Sequence, residues 1–196
     1  MCLFLQAATA WTDLMTTEYI FVLGYKNKEY NLHLIFEKAN FYHLSGMHYA
    51  KDVDFKITPN KMYGEKLIDL IVSNKINACD IEKSKNWEKI KGRLEGIIIL
   101  KKILESNFLI YQFAPNKLRF NSEISAKYLI HNPDLNLSLF LFLDDTGERF
   151  YCKSIFSEQK RDYTQNQTQY KVLRKLKIED SKETELFRSP SYKEEF

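Results

Sequence analysis

The sequence predicts an α+β domain, with N-terminal helices packed on an antiparallel β-sheet. Three observations lead there. Apolar residues recur at helical spacing through much of 61–105. From residue 108 the pattern changes to short strand-like runs divided by turn residues. The 196 residues are 44% hydrophobic with only 6 Gly and 4 Pro, enough for a real core and too few breakers for a loop-dominated chain. Helices followed by a β-meander is the α+β order.

Residues 2–16 read as a short helix whose buried side is Leu5, Trp11, Leu14 and Met15. Two strands follow, 18–25 and 30–37, joined through Lys26-Asn27-Lys28-Glu29 as a hairpin turn. In the second, Leu32, Leu34 and Phe36 alternate with Asn31, His33 and Ile35, so His33 faces away from the core leucines. Pro59 breaks the chain before two helical patterns, 61–74 and 80–105. The second carries Trp87, Ile90, Leu94, Ile97, Ile98 and Leu104, with Asp80 as N-cap. Strands are expected at 108–113, 124–130, 136–143, 149–156 and 168–178. Asn132-Pro133-Asp134 and Asp144-Asp145-Thr146-Gly147 supply turns between them. Leu137, Leu139, Leu141 and Leu143 line one face of the third run and Phe140 and Phe142 the other, so that strand is buried on both sides. A single domain over 1–178 follows, with 1–16 its N-terminal helix and 179–196 a charged, flexible tail.

Net charge is +3, too small to imply a polyanion partner by itself. Residues 149–177 hold eight basic and two acidic side chains; 178–196 hold three and six. A basic block before an acidic tail fits a polyanion site, and equally a solvated strand face. Cys2, Cys79 and Cys152 form no CxxC pair, which argues against a disulfide framework or zinc knuckle and fits a reducing, cytoplasmic setting. No apolar run reaches the roughly 18 residues of a membrane span. Glycine-rich phosphate loops, nucleophile elbows and dinucleotide fingerprints are absent, which leaves kinases, serine hydrolases and nucleotide-fold dehydrogenases without support.

The densest chemistry lies in His43-Leu44-Ser45-Gly46-Met47-His48, which holds two of the four histidines. On one helix these rings would point about 140° apart. Gly46 permits a sharp turn that could bring them together. A paired acid and base near neutral pH suits metal-free RNA cleavage, one ring taking a proton from the ribose 2′-OH and the other protonating the 5′-oxygen. Set among Phe41, Tyr42, Leu44, Met47 and Tyr49, both rings also read as structural hydrogen-bonding histidines. Asp52 and Asp54 could extend them to a metal site, but no zinc spacing results, and no metal or other cofactor is expected. Lys51 could stabilise charge on a phosphorane, or be a solvated lysine. The polar run 162–170 offers hydroxyl, amide and tyrosine groups for phosphate and bases, or forms a plain hairpin loop.

Taken in order, these pieces resemble a family. The carriers are Asn40-Phe41-Tyr42-His43-Leu44-Ser45-Gly46, Arg93-Leu94-Glu95, Phe150-Tyr151-Cys152-Lys153-Ser154-Ile155-Phe156, and Asp162-Tyr163-Thr164 with Gln167. Over about 17–178 the chain resembles the phage-associated Barnase–EndoU–colicin–RelE-like (BECR) nuclease domains, fourth class. The resemblance implies N-terminal helices on a curved antiparallel β-sheet of about four strands. It implies a metal-independent endoribonuclease that cuts through 2′-OH attack, acting as a phage or mobile-element toxin or effector. His43, Thr164 and Gln167 match the family's motifs as catalytic residues; His48 joins them on position and chemistry. Lys51, Lys153, Tyr163 and Tyr170 are the expected substrate contacts. The expected partners are RNA, including tRNA, and an antitoxin, immunity or host protein, with no membrane. The alternative on the same fold is a catalytically inactive protein that occupies a host protein or RNA.

Overall fold

A computed structural model describes residues 2–55, 66–132, 139–157 and 161–193. The chain runs α1 (Leu3–Leu14), β1 (Thr17–Tyr25), β2 (Lys28–Ile35), α2 (Lys38–Leu44), α3 (Lys66–Val72), α4 (Trp87–Ile98), α5 (Leu100–Glu105), β3 (Leu109–Gln112), β4 (Tyr128–Asn132), β5 (Leu139–Asp145), β6 (Phe150–Ser157), β7 (Thr168–Glu179) and β8 (Lys182–Arg188). Short 3-10 turns cover Met47–Tyr49, Ala78–Lys83 and Pro115–Lys117. Pro59, the start of the 61–74 pattern, Leu137 and most of the turn at Asn132-Pro133-Asp134 lie outside the described residues.

The fold is mixed α+β, and the sheet is a closed ring. Its order is β1-β2-β6-β5-β4-β3-β7, with β7 pairing back to β1. β1 and β7 pair from Thr17↔Glu179 to Gly24↔Lys171. This replaces the expected sheet of about four antiparallel strands. One join, β2–β6, is parallel and only two pairs long, Leu34↔Phe150 and Ile35↔Tyr151. A parallel neighbour requires a long crossover, and here the chain passes through the helices and β3–β5 before β6 returns beside β2.

The β1–β2 hairpin turns on Lys26 and Asn27, both at positive φ, which suits the strand twist. α1 buries Phe4, Ala7, Ala8, Trp11 and Leu14; Leu5 and Met15, expected on that face, are only half-buried. The 80–105 helix is broken. Asp80 lies inside a 3-10 turn capped by Asn77, Asn86 precedes α4, and Ile99 separates α4 from α5. β5 is buried on both faces as expected. Leu139, Leu141 and Leu143 join the main core with the helices. Phe140 and Phe142 join a second cluster with Tyr111, Phe113, Leu129 and Tyr163.

The C-terminal region departs most from expectation. Asp180 and Ser181 at positive φ make a second tight turn, and Lys182–Arg188 return along β7 as β8. The acidic residues read as a tail lie opposite the basic block. Glu185 accepts from Arg174 at 2.7 Å, and Glu179 accepts from Lys177 at 2.7 Å. Lys175 is 3% exposed and donates to the carbonyls of Leu104 and Ser106 at the end of α5. Arg174, Lys175 and Lys177, three of the eight basic residues of the block, are therefore engaged in contacts that build the fold.

Candidate active site

Gly46 turns the chain as its position suggested. It has φ +78°, donates to the His43 carbonyl at 3.1 Å, and opens the 3-10 turn that carries His48. His43, in the last turn of α2, and His48 then stack with ring centroids 4.4 Å apart and planes 10° apart. Tyr49 lies against His48 at 4.0 Å. A side chain at position 46 would place Cβ 2.9 Å from Cδ of Arg93, so glycine also makes room for that residue.

Two links hold this loop to the start of α4. Asp52 accepts from Ser84 Oγ and from the Lys85 N–H, each at 2.8 Å. Asn86 donates to the Tyr49 carbonyl at 3.0 Å. Asp52 is thus a loop staple. Among the described residues, no group of three or more His, Cys, Asp or Glu side chains is assembled to hold a metal.

Arg93 is the residue the sequence reading passed over as a site candidate. It is 9% exposed, on the α4 face shared with Ile90, Leu94 and Ile97. Its guanidinium lies 5.4 Å from the Tyr49 ring centre and 6.0 Å from that of Phe156, and donates to Ser154 Oγ at 3.5 Å. Among the described residues no carboxylate pairs with it. A buried cation without a counter-ion is costly, and an anion arriving from solvent would relieve that cost. A charge on an otherwise apolar helical stripe was the signal that could have found it.

Lys153 stands on the other side. The register of β5 against β6 jumps from Phe142↔Ser154 to Leu143↔Cys152, which leaves Lys153 as the bulged residue. Asp144 accepts from it at 2.5 Å. Lys51 is exposed beside the histidine turn.

Burial and these cations together set the state of the rings. Burial, then Arg93, then Lys153 push the His43 pKa below its ordinary 6.5. Burial, then His43, Arg93 and Lys51 push His48 down to about 4. Both imidazoles are therefore neutral at pH 7, and His48 Nδ1 is buried with no hydrogen-bond partner among the described residues. Neutral, paired rings beside Arg93, which has no carboxylate partner among the described residues, and beside Lys153, which is paired with Asp144, form a cluster that can accept protons.

The C-terminal motif is engaged in contacts that build the fold. Thr164 caps Asp162 through both its N–H, at 2.8 Å, and its hydroxyl, at 2.6 Å. Gln167 holds the backbone of Ala114, accepting from its N–H at 2.7 Å and donating to its carbonyl at 3.2 Å. Tyr163, expected to stack on substrate, is buried among Phe120, Phe140, Phe142 and Phe156. Tyr170, expected likewise, is buried against Tyr25, Tyr30 and Tyr128. Neither ring is a free stacking surface.

The α+β domain thus sets a histidine pair beside a buried arginine that has no carboxylate partner among the described residues. The chain belongs to the family described as phage-Barnase–EndoU–ColicinE5/D–RelE-like nuclease 4, whose model matches residues 4–191. That span includes β8, which the sequence reading had left in the tail. Comparison with curated proteins and with solved structures yields no match. No helix among the described residues is long and apolar enough to cross a membrane.

Proposed function

We propose that this protein is a metal-independent endoribonuclease whose centre is the His43–His48 recess. The observation that carries the reading is the stacked, neutral pair beside Arg93, a buried guanidinium with no carboxylate partner among the described residues. His43 takes the proton from the ribose 2′-OH as that oxygen attacks the adjacent phosphorus. The P–O5′ bond breaks, and the leaving 5′-oxygen takes a proton from His48. The products are a 2′,3′-cyclic phosphate and a 5′-hydroxyl. Arg93 and Lys153 hold the phosphate oxygens and stabilise the charge that builds on them, with Lys51 at the rim. Burial is the larger cause of the depression; the phosphate offsets the part that comes from the positive charges and so favours the protonated form of His48 when substrate is bound. Thr164 and Gln167 act by shaping their loop. The family's phage association supports a role as a toxin or effector acting in the cytoplasm and restrained by an antitoxin, immunity or host protein.

Purified protein incubated with tRNA, mRNA and rRNA in excess EDTA tests this reading. Fragments ending in 2′,3′-cyclic phosphate are expected. Intact RNA in every case would leave a binding protein on a nuclease fold.

The pH profile gives a second expected result. A base must be neutral to work, so kcat/KM falls as pH drops through the pKa of the free histidine. Because that pKa is depressed, the acid limb should lie below 6.5. Arg93→Gln removes one of the depressing charges and should move the limb upward. A limb at or above 6.5 in the wild type, or one indifferent to Arg93, would contradict the assignment.

A further inference from the structure

The Asp162–Gln167 motif does more than close a loop. Gln167 binds the backbone of Ala114, Asn166 donates to the Lys117 carbonyl at 3.2 Å, and Lys117 donates to Thr168 Oγ1 at 3.3 Å. These bonds join segments 114–121 and 161–168 into one platform over the outer face of β3–β5. The platform carries Lys117, Arg119 and Arg161, against the single carboxylate of Asp162, which is occupied by Thr164.

Arg161 is exposed, and its guanidinium lies over the half-buried Phe120 ring, 5.2 Å from the centroid. Phe120 packs edge-on against Tyr163 at 5.1 Å, Tyr163 meets Phe156 at 5.4 Å, and Phe156 lies 6.0 Å from the Arg93 guanidinium. Three side-chain contacts thus connect the platform to the recess. A guanidinium seated on an aromatic ring has its other face open, and that planar, cationic face is a surface on which an unpaired base stacks. A protein docking here would favour acidic side chains and have no need of a plane; an RNA strand leaving the recess uses both the charge and the plane.

We propose that this platform is a second RNA-contact site, at which Arg161 stacked on Phe120 receives an unpaired base that flanks the cleaved phosphate. The substrate is then single-stranded RNA of several nucleotides. The proposal rests on the ribonuclease reading for its geometry, but its binding arm stands separately from cleavage.

The test is fluorescence anisotropy with a labelled single strand of about twelve nucleotides, a length within the range that such platforms cover. Arg161→Ala should weaken binding about 10-fold, the scale of one lost stacking contact. Arg161→Lys should weaken it nearly as much, because it keeps the charge and loses the plane. Cleavage of a dinucleoside phosphate, which cannot reach the platform, should be unchanged by Arg161→Ala. Unaltered binding of the long strand, or equal losses on both substrates, would overturn the proposal. So would a wild type that does not bind the strand. Binding that weakens as expected in a protein that cuts no RNA would sink the ribonuclease reading and leave this one standing.

Discussion

His43→Ala is expected to lower kcat for RNA cleavage by about 10²–10⁴-fold, the usual contribution of a positioned acid–base group. Binding of RNA should survive, since Arg93 and Lys153 keep their charge in the variant. Stability should change little, because His43 is exposed and its ring packs by stacking on His48. The measurement is single-turnover cleavage beside anisotropy with the same RNA. Loss of cleavage with binding kept marks a group that acts on the reacting atoms. Undiminished turnover would remove His43 from the mechanism.

Phe41→Ala is expected to destabilise the fold by about 3–5 kcal/mol, read from denaturant unfolding. Phe41 is fully buried two residues before His43, stacked on Phe4 with ring centres 6.0 Å apart and tilted against Trp11 at 6.1 Å. Trp11 in turn donates its indole N–H to the Glu37 carbonyl, just ahead of α2, at 3.1 Å. The ring therefore fastens the helix that presents His43 onto α1. Truncation leaves a large void between two helices, and α2 cannot close it without moving the histidine. A loss under 1 kcal/mol would show that α2 is held mainly by its other contacts.

The parts legible in the sequence were those that follow local rules. Alternation identified β5 and its two buried faces, and Gly46 foretold that His43 and His48 meet. What escaped depends on distant partners. The ring closure of β1 on β7 has no local sign, since each strand's pattern states only which residues are buried. The charges of β8 looked like a solvated tail because their partners on β7 are reached only after a turn. Tyr163 and Tyr170 have the chemistry of stacking residues, but composition does not say which rings a fold will cover. Arg93 was hidden for the opposite reason: its surroundings read as core, and only the fold shows that no carboxylate among the described residues pairs with it.

Closure of the ring also sets a schedule. Thr17 Oγ1 donates to Glu179 Oε1 across 162 positions, so the first strand waits for almost the whole chain before its pairing is complete. The recess likewise waits for β6, which supplies Lys153 and Ser154 long after α2 has been made. At about 5–20 residues per second, synthesis of the intervening stretch takes on the order of 5–20 s. Through that interval the emerging polypeptide carries His43, His48, Lys51 and Arg93 without Lys153. For the proposed ribonuclease, the histidine pair is completed by a strand made long after it, so assembly of the site is tied to formation of β6.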